Sequence, residues 1–118
     1  MNITDPAMAD KMRRALKQGD DLFNLDDIEA GLTTGDLQGH VEGDTWAITQ
    51  IHQWPRKKAV NVLFVVGSLD NSVKLENRIE SWARDQNATL LTAVGRGGWW
   101  AFRTPGWKIV GNLYSKVI

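Results

Sequence analysis

The chain has 118 residues and no cysteine, and its fourteen Lys plus Arg balance fourteen Asp plus Glu to a formal net charge of zero. That length suits one domain spanning 1–118, the missing thiols exclude disulfides, thiolate metal sites and cysteine nucleophiles, and the neutral total argues against a dedicated nucleic-acid binder. At 42% hydrophobic and 24% charged residues the composition is that of an ordered globular protein, with no apolar run of the ~18 residues that a membrane helix needs.

In chain order, the opening residues Met1–Pro6 lack a basic region followed by an apolar core, so no secretory signal is expected. Asp5-Pro6 reads as a helix start, with Asp as cap and Pro at the first helical position. Met8, Met12 and Leu16 follow at four-residue spacing until Gly19. Asn24 caps a second helix over Leu25–Thr34, with Ile28 and Leu32 on one face, Asp26, Asp27 and Glu29 in its first turns and Gly35 as its stop. These two helices form an N-terminal segment, 1–37, ahead of a sheet-containing body, 38–118.

The periodicity then changes to two. Gln38–Glu42 and Thr45–Gln53 read as strands joined at Glu42-Gly43-Asp44, and Trp54-Pro55-Arg56-Lys57-Lys58 is a polar connection. Ala59–Gly67 is apolar and β-branched, the pattern of a central strand buried on both faces. Ser68 or Asp70 caps a helix over Asn71–Gln86, its inner face Val73, Leu75, Ile79, Trp82 and Ala83, with Glu76, Arg78, Glu80 and Arg84 outward. Ala88–Val94 is a strand, Gly95–Gly98 a hinge, Trp99–Phe102 a short helix and Trp107–Ile118 a final strand or strand pair. The fold class is α+β (mixed α/β), a mixed sheet covered by helices.

Charge is unevenly spread. Residues 20–44 hold eight acidic side chains and no Lys or Arg, whereas 45–118 hold ten basic and four acidic. Such blocks mark a solvated surface, or two complementary faces that steer a partner. Catalytic signatures are absent: His40 and His52 lack metal-ligand spacing, no Ser sits in a nucleophile elbow, and Gly95-Arg96-Gly97-Gly98 lacks a phosphate-loop lysine. Trp and basic side chains interleave around Trp54–Lys58 and 96–108, a pattern that could stack on single-stranded bases, although the core needs the same Trp volume.

From Thr45 to Ile118 the order of elements resembles the GCN5-related N-acetyltransferase fold. The best local match is Trp100-Ala-Phe-Arg-Thr-Pro-Gly106-Trp107-Lys-Ile-Val-Gly-Asn-Leu-Tyr114-Ser-Lys, where an aromatic-bearing helix runs into a Gly-aromatic pair and then a strand. The resemblance implies a glycine-rich loop after the central strand that binds the diphosphate of acetyl-coenzyme A at a helix start, and a tyrosine acid in the later helix. At the loop position stand Gly67, Ser68, Leu69, Asp70, Asn71 and Ser72, without the glycine pattern and with an acid where the diphosphate would sit. The tyrosine position falls near Phe102, which has no hydroxyl to protonate a thiolate, and Tyr114 in the last expected strand does not correspond to it.

The Trp-rich segments Gly43–Trp46, Trp54–Lys58 and Gly97–Trp99 are also similar to small proteins encoded among the morphogenesis genes of short-tailed bacteriophages. The combined expectation is a non-catalytic acetyltransferase-like protein with no cofactor and no metal. Its partners would be phage structural proteins of the portal, tail or internal core, in the virion or the host cytoplasm, and it would be a homo- or hetero-oligomer without membrane contact. Trp54, Arg56, Trp99, Arg103, Asp26, Asp27 and Glu29 are the candidate interface residues, of types that anchor or steer protein contacts. Trp107 is assigned to the core. Acetyl transfer from acetyl-coenzyme A and single-stranded nucleic-acid binding are the alternatives.

Overall fold

A computed structural model of the chain describes residues 5–18, 21–94 and 105–118. Helix α1 spans Pro6–Gln18, and the Asp5 carboxylate accepts the Ala7 N–H at 3.1 Å, closing its first turn. Helix α2 spans Leu25–Thr34. Asn24 and Asp27 cap it reciprocally: Asp27 N–H donates to Asn24 Oδ1 at 2.9 Å, and Asn24 N–H donates to Asp27 Oδ2 at 3.0 Å. Gly35, in the left-handed region, ends it.

Strands β1 (Gln38–Glu42), β2 (Thr45–Gln53) and β3 (Lys58–Val66) form an antiparallel meander. Helix α3 (Leu69–Asp85) then crosses over to β4 (Leu90–Ala93), which pairs parallel to β3, so the sheet order is β1-β2-β3-β4. Ile48 pairs with Phe64 but Thr49 with Val62, leaving Leu63 as an extra residue in β3. That bulge turns both Leu63 and Phe64 toward α1 and α2.

The sheet separates two apolar layers. On one face, Met8, Met12 and Leu16 of α1 and Ile28 of α2 pack on Trp46, Ile48 and Val66. On the other, Leu75, Ile79 and Ala83 of α3 pack on Ala47 and Val60. Ala59–Val66 is thus covered on both sides, as its composition predicts, and the spacing of Met8, Met12 and Leu16 is the buried stripe of α1.

The structure corrects three expectations. Residues 107–118 form no strand: the large apolar side chains from Ile109 onward stand in solvent, because a strand exists only against a partner edge, and this segment lies along none among the described residues. Glu76 points inward rather than outward, 5% exposed, where Trp107 Nε1–H donates to its carboxylate. Trp107 is correspondingly half-buried against α3 and belongs to neither apolar layer. The expected hinge at Gly95–Gly98 and short helix at Trp99–Phe102 lie outside the described residues. Among the described residues no helix is long and apolar enough to cross a membrane.

Candidate functional site at the start of helix α3

Strand β3 leaves the sheet through Gly67 and Ser68 and turns into α3, and the β1–β2 turn docks on that junction. The approach is close enough to demand two glycines. A Cβ on Gly67 (φ 133°) would lie 2.5 Å from Thr45 Cα and 2.8 Å from the Asp44 carbonyl oxygen, and one on Gly43 (φ 57°) 2.9 Å from Asn71 Nδ2.

Asp44 is the centre of the junction. Its Oδ1 accepts from Asn71 Nδ2 at 2.9 Å, Thr45 Oγ1 at 3.0 Å and Ser68 Oγ at 3.2 Å. The Thr45 hydroxyl in turn accepts the Ser68 N–H at 2.9 Å, and Ser68 Oγ accepts the Asn71 N–H as the cap of α3. The Asn71 amide, with the Thr45 and Ser68 hydroxyls, holds the Asp44 carboxyl below the usual carboxylate range. The start of α3 is where the resemblance implies diphosphate binding. Here the Asp44 carboxylate is held beside it by Ser68 and Asn71, and exposed Asp70 adds a second negative charge in the first turn.

A second polar cluster lies between β1 and α3. Thr49, fully buried, donates its hydroxyl to Gln38 Oε1 at 2.9 Å and sits 2.9 Å from His40 Nε2. With its one proton committed to Gln38, Thr49 accepts from His40 Nε2–H. The His40 ring meets Trp82 of α3 edge-on at 4.8 Å, and Arg78 binds the Val41 carbonyl at 2.7 Å and the Glu42 carboxylate, clamping α3 to β1. Burial, reinforced by the Arg78 charge, lowers the His40 pKa from 6.5 to about 4.

This ring therefore makes the fold acid-sensitive. Between pH 6.5 and about 4 the unfolded chain binds a proton at His40 that the folded chain refuses, so stability falls as pH drops through that window. Discounted for the ring's partial exposure, the loss is about 1–2 kcal/mol. Asp44 acts in the same direction lower down: its contribution is full above 3.8 and is lost as pH falls through its depressed value. Denaturant melts at pH 7 and pH 4.5 are expected to differ less for His40→Gln than for the wild type. Equal differences in the two proteins would show that His40 does not carry the effect.

The residues named from sequence are not brought into one place. Gly67–Ser72 form the junction described above. Trp54 and Arg56 lie exposed in the β2–β3 turn, which is closed by Trp54 N–H donating to the Lys57 carbonyl at 2.8 Å, and Trp54 meets His52 edge-on. Asp26, Asp27 and Glu29 are exposed on the first turns of α2, where Asp27 also serves the cap. Glu42 and Asp44 of the acidic block are committed to α3. Trp99, Phe102 and Arg103 lie outside the described residues. Tyr114 is exposed. Asp44, Thr45 and Glu76 are the side chains that sequence reasoning overlooked. Among the described residues no cluster of His, Asp and Glu is arranged to hold a metal.

No family model and no curated protein matches the chain. A solved crystal structure described as a probable acetyltransferase is similar in fold, with a TM-score of 0.59 at 8% identity, over 77% of this chain and 72% of that one. The mixed α+β fold, with three helices and a four-stranded mixed sheet among the described residues, is thus acetyltransferase-like.

Proposed function

We propose that this chain is a non-catalytic acetyltransferase-like protein that acts through protein–protein contacts, in the assembly or ejection apparatus of a short-tailed phage. The observation that carries the non-catalytic part is the Asp44 carboxylate bonded to Asn71, Thr45 and Ser68 at the start of α3. A diphosphate entering there would meet two carboxylates and would have to displace a hairpin turn held by two close glycine contacts. The phage setting is supported by the sequence similarity of the Trp-rich segments alone. The exposed Trp54–Arg56 turn and the acidic start of α2 are the surfaces we assign to partners, as an aromatic–arginine anchor and a steering field.

Acetyl transfer is the second reading, favoured by the fold likeness to a probable acetyltransferase. Thermal melts with millimolar acetyl-coenzyme A separate the two. No shift is expected, whereas a ligand at 100 times its dissociation constant would add ~2.7 kcal/mol of stability. A saturable upward shift would overturn the non-catalytic reading. Mass spectrometry of purified particles is expected to find the chain in fixed stoichiometry with a structural protein, and its consistent absence there would remove the virion role.

A further inference from the structure

Strand β4 ends the sheet with its outer backbone edge unpaired among the described residues, and it carries two exposed apolar side chains, Leu90 and Val94, at and just beyond its ends. Among the described residues no helix covers the face of β4 that bears Leu90 and Thr92, since α1 reaches only as far as β3. An open edge of this kind is a template for another strand.

The same chain carries a segment, 108–118, that pairs with no strand among the described residues. Beyond Trp107, which is held to α3 through Glu76, every residue from Lys108 to Ile118 is exposed. Leu113, the least exposed of its large apolar side chains, is still 71% exposed. Six of these side chains are large and apolar, and in extended form they fall on both faces, with Ile109, Leu113 and Val117 on one and Val110, Tyr114 and Ile118 on the other. A monomer that leaves them in water exposes an unusually continuous apolar surface.

We propose that 108–118 is an exchanged arm, which adds to the β4 edge of a second copy of this chain while the second copy's arm adds to this one. Each copy presents one unpaired arm and one open edge, so two copies related by a two-fold axis satisfy both at once. The β4 edge fits the arm better than the β1 edge does. Leu90 and Val94 are apolar and exposed, whereas β1 offers Gln38, Gly39, His40 and Glu42, with Val41 its sole large apolar side chain. The zero formal charge of the chain leaves no net repulsion between copies. Eleven arm residues and the four of β4, contributed by each copy, make a patch smaller than the ~20 residues a side of a standard interface, the size of an exchanged strand rather than of two docked globular faces. The inference rests on the sheet edge and the arm, not on the ligand reading, so acetyl-coenzyme A binding would leave it intact.

Sedimentation equilibrium of the full chain at high micromolar concentration is expected to give twice the 13.2 kDa of one chain. Deleting 108–118 is expected to halve that mass while a cooperative thermal melt persists. Leu113→Pro, which keeps the arm's length and removes a strand donor, is expected to do the same. A monomeric full chain would overturn the proposal, including one whose arm amides resist hydrogen exchange because the arm folds onto its own β4. A dimer that survives in both variants would overturn it equally.

Discussion

Replacing Gly67 with alanine is expected to destabilise the protein by about 2–5 kcal/mol, one of the two largest losses of any conservative change in the fold. Two independent costs combine. At φ 133° an L-residue is strained whatever surrounds it, and the new methyl would meet Thr45 Cα at 2.5 Å and the Asp44 carbonyl oxygen at 2.8 Å. Both are backbone atoms, so no side-chain rotation relieves the clash. The hairpin would have to lift from the start of α3, breaking the Thr45–Ser68 and Asp44–Asn71 bonds. Gly35→Ala is the internal control: it has φ 86° but open space around it, so it incurs the backbone cost alone, about 1 kcal/mol. Denaturant titration of the two variants measures the difference. If Gly67→Ala cost no more than Gly35→Ala, the close docking of the turn would be wrong, and with it the placement of Asp44 beside the α3 start.

The role of Asp44 lies beyond what local sequence encodes. Local signals were sufficient for α2, whose cap Asn24 and stop Gly35 stand where expected, and for the β1–β2 hairpin, whose alternation and Gly43-Asp44 turn define its register. Helix α3 is displaced by two residues at its start because Ser68, not Asp70, provides the cap. Asp44 was visible as one acid in a block of eight. What it does depends on Ser68 and Asn71, 24 and 27 residues onward, and no local pattern encodes that meeting. Glu76 shares a helical face with Ile79 and Ala83, but a carboxylate on that face reads as solvent-facing until Trp107, 31 residues later, is seen to donate to it. The apolar and β-branched residues of 107–118 suit a strand, yet composition states only that a segment suits one, while pairing requires an edge that the segment reaches. The interface candidates Trp54, Arg56, Asp26, Asp27 and Glu29 are surface residues in the fold, and their function depends on a partner.

Met12→Ala tests whether α1 is part of the fold or an attachment to it. Met12 is fully buried between Ile28 of α2 and the sheet residues Trp46, Ile48 and Val66, and no charged or hydrogen-bonding group of its side chain complicates the comparison. Its truncation removes apolar burial and leaves a cavity walled by a strand on one side and a helix on the other, so the expected loss is about 2–5 kcal/mol. Against a total of ~5–15 kcal/mol for a domain, that lowers the melting temperature by roughly 10–20 °C. Leu75→Ala on the opposite face of the sheet, 1% exposed under α3, is expected to cost a similar amount. The comparison carries the argument, because the two clusters share the sheet but no helix. If α1 and α2 were a detachable segment, Met12→Ala would release them and leave the main melt unchanged, with only Leu75→Ala lowering it. Equal losses in a single cooperative transition require the sheet to be stabilised from both faces at once. The helices that precede the sheet in sequence would then be as necessary to the acetyltransferase-like body as the one that crosses it.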